Sequence, residues 1–220
     1  MTRGNDRLYV YALAEPGLPR RFTILGRRLR TLPAGGVDVI VEAGASPELT
    51  ADAVRHQHEI VARLAARTPA ILPARFGSVA AAPELQTVIA RKRGEIAEAL
   101  ALVRGCAQMT VRVFGSSGSA SAGAPAPART GTEFMERLRA RSHEVPPEAA
   151  VVSGAMSAHV KAERVAAGER RRLVTLFHLV PREGLEAYRK QASSLQELLR
   201  PLTVTVTGPW PAFAFGPELF

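Results

Sequence analysis

The chain has 220 residues and is poor in cysteine, in aromatic rings and in acid. With Cys106 as its single thiol, it cannot close a disulfide on itself or build a cysteine-based metal cluster. Cys106 ends the helical pattern ALVRGC and reads as a small packed residue. No run of about 18 apolar residues occurs, the length that a bilayer core demands. The first apolar stretch, LYVYAL, is too short for a signal peptide and no small-residue cleavage pattern follows it. The expectation is a cytoplasmic protein outside the membrane. Aromatics make up 5% of the residues, yet the closing stretch TGPWPAFAFGPELF carries Trp210, Phe213, Phe215 and Phe220.

Lysine and arginine number 29 against 20 aspartates and glutamates, a net charge of +9. Such a balance favours nucleic acid, anionic lipid or an acidic partner. The excess is arginine in short clusters: Arg20 and Arg21, Arg27, Arg28 and Arg30, and Arg170 to Arg172. A single-strand reader would interleave aromatics with these charges. Tyr9 and Tyr11 instead lie on an apolar strand without alternating basic residues, so a solvated basic surface is the simpler reading.

The patterns of catalysis and ligand binding are also missing. His56 and His58 in HQHEIVA point to different sides of a helix, and Ala62 stands where a zinc-binding helix would need its second histidine. His58 and His159 fall on helix stripes and His178 inside a strand, and all three read as core-edge residues with a hydrogen-bond partner, while His143 lies in a turn. There is no nucleophile elbow, phosphate loop or dinucleotide fingerprint. Acidic residues are spread singly, without the pair that acid–base chemistry uses. A protein that is not an enzyme, with no cofactor and no metal, is expected.

With 46% hydrophobic residues, the chain can bury ordinary globular cores. The stretch GSSGSASAGAPAPART, residues 115–130, lacks anchoring side chains and reads as a flexible linker. It separates a unit of residues 1–114 from one of residues 131–220. In the first, strands are expected over 8–13, around 22–31 and over 37–44, with Gly35 and Gly36 in a turn. A helix follows, capped by Ser46, Pro47 or Thr50, with Val54, His58, Val61 and Ala65 on one stripe. A second helix over 83–104 tolerates Gly94 and leads into a closing strand, QMTVRVF. In the second unit the expectation is a short helix in EFMERLRARSH, a helix from Pro147 to about Ala167 and a covered strand over 171–180. A helix of about five turns then follows Pro181, and LTVTVT forms a half-buried strand. Both units read as α+β layers, and strand–helix–strand at the end as a right-handed crossover between parallel strands.

Three segments in order, LYVYAL, HEIVARLAARTPAILPARFGSV and TGPWPAFAF, resemble the gas vesicle protein F/L family (GvpF/GvpL). His58, Leu72, Pro73, Arg75, Phe76 and Gly77 match its helical histidine and Leu-Pro-x-Arg-Phe-Gly turn. Gly208, Pro209, Trp210, Pro211 and Phe215 match its Gly-Pro-Trp-Pro-Pro-Tyr-Ser-Phe ending, and Gly131 to Phe134 its second-domain opening. Ala212, Phe213 and Ala214 depart from that ending. Pro146 and Pro147 shorten the first helix of the second unit.

The resemblance implies an N-terminal α/β domain and a C-terminal ferredoxin-like domain. It also implies an accessory protein of gas vesicle formation that binds the hydrophobic major shell protein, GvpA, and other accessory proteins during assembly. Retention as a minor vesicle component is left open, as is the split of the motif residues between structural and partner-binding roles. The alternative is a regulatory or nucleic-acid-binding module using the basic surface. The aromatic tail is expected to fold back and pack, with Phe213 and Phe215 on one side of an extended segment.

Overall fold

The computed structural model describes residues 7–115, 147–168 and 172–218. The expected linker beyond Gly115, the Gly131 to Phe134 motif, the helix in EFMERLRARSH, His143, Arg170, Arg171 and Phe220 lie outside the described residues. Contacts divide the chain into two units, Met1–Gln108 with Trp210–Phe220, and Met109–Pro209. Both are α+β. The tail therefore belongs with the N-terminal residues, and most of the stretch QMTVRVF with the second unit.

In the first unit, strands β1 (Arg7–Ala14), β2 (Arg21–Ile24), β3 (Arg27–Ala34), β4 (Val37–Ala43), β5 (Ile71–Pro73) and β6 (Val79–Ala81) form one sheet. Its order is β2-β3-β4-β1-β5, with β6 also paired to β1. The described pairings are antiparallel. The single strand expected over 22–31 is a hairpin, because Leu25 and Gly26 both take positive φ, 49° and 77°. That is the two-residue turn whose twist matches its strands. Gly35 and Gly36 repeat it at φ 58° and 88°. A side chain at Gly35 would meet Ile89 Cγ2 at 2.9 Å, so glycine is required there twice over.

The β1–β4 register slips between Val10 and Ala12, making Tyr11 the extra residue of a bulge. The bulge reverses alternation. Tyr9, Tyr11, Ala12 and Ala14 thus share one core with Ile60, Val61 and Leu64 of helix α1 (Ala51–Ala65). Thr50 caps α1 by accepting from Ala53 N at 3.1 Å. The buried stripe is Gln57, Ile60, Val61 and Leu64. It is rotated from the expected one, so Val54 is exposed and His58 sits at the edge.

The long helix expected over 83–104 is two helices, α2 (Ala82–Arg91) and α3 (Arg93–Val103). The chain leaves helical geometry at Lys92, φ −102° and ψ 19°, two residues before Gly94, whose free backbone weakens the helix there.

The second unit has strands β7 (Cys106–Phe114), β8 (Ala162–Ala167), β9 (Arg172–Pro181) and β10 (Thr203–Trp210), in the order β10-β7-β9-β8. The helices are α4 (Pro147–Met156), α5 (Leu185–Ala192) and α6 (Leu195–Leu198). Numbered within the unit, the strands run 4-1-3-2, the ferredoxin-like split βαβ arrangement. The stretch QMTVRVF thus does not close the first sheet; its strand lies between β10 and β9, splitting the expected crossover. Cys106 opens this strand, buried, instead of ending a helix.

The helix expected over 147–167 stops at Met156, and Ala162–Ala167 pairs antiparallel with β9. AERVAA has helical composition, but β9 offers a free edge, and pairing overrides a weak local preference. The five-turn helix is likewise broken into α5 and α6 around Ser193 and Ser194, whose hydroxyls bond back to the carbonyls of Lys190 and Gln191. Val111, Val113, Val174, Leu176, Tyr188 and Leu195 centre the core, with Val204 and Val206 packed on it. Thr203 and Thr205 are exposed, as their alternation requires.

Candidate functional site

Neighbouring residues of α1 point about 100° apart, so Gln57 and His58 serve different structures. Gln57 turns to the sheet. Its Oε1 accepts from the Tyr9 hydroxyl and its Nε2 donates to the Ala74 carbonyl at 3.2 Å. The carboxamide thereby fastens the turn after β5 to α1. Burial raises the Tyr9 pKa and outweighs the opposing Gly77 N–H and Arg27, so its hydroxyl stays a neutral donor.

Within that turn Leu72 is buried and Arg75 exposed. Phe76 meets the Tyr9 ring edge-on at 6.3 Å. Gly77, at φ 90°, lends its N–H to the Tyr9 hydroxyl at 3.4 Å. The positive φ is the physical reason for glycine at this place.

The last residues return over this surface. Phe213 N donates to the Pro211 carbonyl at 2.7 Å and Phe215 N to the Ala212 carbonyl at 3.1 Å. The tail is therefore coiled, and Phe213 and Phe215 do not share a side as an extended strand would have it. Phe215 is 2% exposed, whereas Trp210 and Phe213 are each 37% exposed. Pro211 and Ala212 are buried beside Phe215. Ala214 N donates to Gln108 Oε1 at 2.8 Å. Lys92 Nζ donates to the Glu218 carbonyl at 2.8 Å, and the Glu218 carboxylate pairs with Arg75. The expectation that the tail packs is met by Phe215 and qualified by the two half-exposed rings.

His58 lies among those rings. Trp210 stands edge-on to the imidazole at 4.9 Å and 81°, and Phe213 stacks on it at 5.1 Å and 16°. Against the expected hydrogen bond, Nε2 is enclosed without a partner among the described residues. Burial lowers its pKa and outweighs the opposing pull of Glu59. An imidazole that stays neutral suits an aromatic stack, since a charged one would have to be desolvated there.

The first unit thus gathers His58, Leu72, Arg75, Phe76 and Gly77 with Trp210, Pro211 and Phe215. Gly208 and Pro209 belong to β10 in the second unit. Sequence reading missed Gln57, Gln108 and Glu218. For Gln57 the signal was present: a lone amide, three residues before Ile60 and four before Val61, on a stripe that is otherwise apolar.

A second polar cluster lies in the core of the other unit. His178 is fully buried, with Tyr188 Oη 2.7 Å from Nδ1 and Glu163 Oε2 2.9 Å from Nε2. Ser153 Oγ donates to the other Glu163 oxygen at 2.7 Å. Burial lowers the His178 pKa against the opposing pull of Glu163, and burial raises that of Tyr188. Every polar atom of the imidazole is satisfied, the condition under which a buried network holds a core together.

Among the described residues no helix is long and apolar enough to cross a membrane. No curated protein matches this sequence. The crystal structure of gas vesicle protein GvpF from Microcystis aeruginosa is similar at TM-score 0.72 and 12% identity, covering 96% of this chain and 99% of that one. That of GvpF from Anabaena sp. PCC7120 is similar at TM-score 0.71 and 12% identity, covering 97% and 99%. At such identity the likeness speaks of the fold. The family model described as gas vesicle synthesis protein GvpL/GvpF matches residues 7–217, nearly the whole described chain, and the chain belongs to that family.

Proposed function

We propose that this chain is a non-enzymatic accessory protein of gas vesicle formation, one that binds the hydrophobic shell protein GvpA and other accessory proteins during assembly. It acts in the cytoplasm and at the vesicle. A shell subunit with an apolar gas-facing surface aggregates unless something covers it before it is built in. Its carrier must show a matching apolar surface while remaining folded itself.

The observation that carries this reading is the pair of half-exposed rings, Trp210 edge-on to His58 and Phe213 stacked on it, anchored by the buried Phe215. Val54, four residues before His58 on α1 and 40% exposed, extends the patch along the same helix face. Large rings held rigid at a surface lose little entropy on binding and are favoured at contact sites. The reading also rests on membership of a gas vesicle synthesis family.

Co-purification with tagged GvpA and vesicle yield in a strain lacking the gene test it. The expected outcome is a retained complex and a loss of vesicles. Normal vesicles in the deletion strain would remove the reading.

A further inference from the structure

The hairpin of β2 and β3 has a face that the aromatic surface does not use. Its register sets Arg21 opposite Arg30 and Thr23 opposite Arg28. Alternation along each strand turns these four side chains to one side, while Phe22, Ile24 and Leu29 go to the core on the other. The four side chains line a concave surface of about 450 Å³, with Phe22, Leu29 and Ala43 completing its wall.

Like charges directly opposite each other on neighbouring strands repel. The described ion pairs of arginine involve Arg27, Arg55, Arg75, Arg104 and Arg200. Arg27, on the other side of this same hairpin, reaches Glu42 at 2.8 Å. Among the described residues Arg21, Arg28 and Arg30 have no such carboxylate, and Nε of Arg30 is enclosed without a hydrogen-bond partner. An unpaired enclosed donor on a cation is costly, and a carboxylate gripping the guanidinium through two hydrogen bonds removes that cost.

The second feature is the edge. β2 ends the sheet path, so among the described residues no strand takes the outer backbone groups of Arg21–Ile24, the edge to which another strand can add. We infer that this face takes an acidic, extended segment of a protein partner, which adds to β2 as a further strand and sets carboxylates at alternate positions toward Arg21, Arg28 and Arg30. Side chains two apart on an added strand recur about 6.8 Å apart on one face, the spacing of Arg21 and Thr23 and of Arg28 and Arg30. Long guanidinium arms span the further strand width of about 4.8 Å that separates β3 from the newcomer. A nucleic-acid strand would be read with several stacking rings, and this hairpin carries a single one, Phe22, which is half-buried and packed against the core. The inference depends neither on the aromatic surface nor on a gas vesicle client.

Fluorescence anisotropy of the full chain with a labelled ten-residue peptide of alternating Glu and Thr tests it. The wild type is expected to bind this peptide more tightly than a block peptide of the same composition or a ten-nucleotide oligothymidylate. Arg28→Thr and Arg30→Thr should each weaken binding about tenfold, the scale of one charged hydrogen-bonded contact. Arg63→Thr, an equal loss of charge at an exposed position of α1, should leave it unchanged. Arg30→Thr should also raise Tm, since it relieves the opposed pair with Arg21, whereas an arginine with a purely structural role would lower Tm when removed. Four results overturn the inference: no binding by the wild type, equal binding of the block peptide, tighter binding of the oligothymidylate, or equal losses in Arg63→Thr and Arg30→Thr.

Discussion

His58 and His178 read alike in the sequence, each as a core-edge histidine, one on a helix stripe and one inside a strand, and they end in opposite surroundings. His178 has an oxygen against each nitrogen, Tyr188 on one side and Glu163 on the other, in a closed core. His58 has aromatic rings against its faces and edge, an enclosed Nε2 without a partner, and a half-exposed surface above it. A satisfied network fixes one packing of its core and reaches solvent only through the carboxylate of Glu163. A stacked imidazole under half-exposed rings holds a surface in shape at some expense of its own hydrogen bonding. The first belongs to stability, and the second is the surface to which the proposed function assigns contact.

The sharpest way to separate them is to remove their anchors. Phe215→Ala should cost about 3–5 kcal/mol, as large aromatic truncations in packed sites do, and free the tail from the first unit. Chemical denaturation reads the loss, and the sole tryptophan, Trp210, should shift its emission to the red. An unshifted spectrum with unchanged stability would mean that the coiled tail is held without Phe215. Tyr188→Phe should cost less, about 1–3 kcal/mol, because it strands Nδ1 of His178 in a closed core. If stability is unaltered, the network does not hold that core.

Acid should strain both imidazoles. Burial holds each folded pKa below the ordinary 6.5, against Glu59 at His58 and Glu163 at His178. The unfolded chain therefore takes up protons that the folded one refuses. The stabilising share is complete above about pH 6.5 and is lost as pH falls below it. Thermal melts from pH 8 to pH 5 should show that decline. His58→Phe, which keeps a ring in the stack and removes a titrating group, should flatten it. An equally steep decline in that variant would leave His58 without a share. Smallest is Arg75→Ala, whose exposed pair with Glu218 should be worth less than about 1 kcal/mol. A larger drop in Tm would show that this ion pair, rather than Phe215, secures the tail.

Much of this was legible in the sequence where a single element decides the outcome. Strand β1, the Gly35–Gly36 turn, the alternating Leu202, Val204 and Val206, and helix α1 follow from local pattern. The tail's return follows from its apolar content. Partnership between distant elements was less legible. AERVAA reads as helix until β9 is present to pair with it, and only as strand β8 does it bring Glu163 opposite His178. Without that strand His178 looks like any core-edge histidine. The break at Lys92 was signalled by Gly94 but outweighed by the apolar stripe running through it. The bulge at Tyr11 leaves no mark in a continuous apolar strand. At the site itself the motif residues were legible individually, whereas the stack of His58 with Trp210 and Phe213 joins positions some 150 residues apart, which no local pattern reports.

The account stands on Trp210 and Phe213 being a contact surface and Phe215 the anchor beneath it. Its most direct test is co-purification of tagged GvpA with the double variant Trp210→Ser/Phe213→Ser, alongside a thermal melt of the same preparation. The prediction is a Tm within a few degrees of the wild type, because the two replaced rings are half in solvent, together with loss of the shell protein from the complex. A variant that melts like the wild type and still carries as much GvpA would contradict the account.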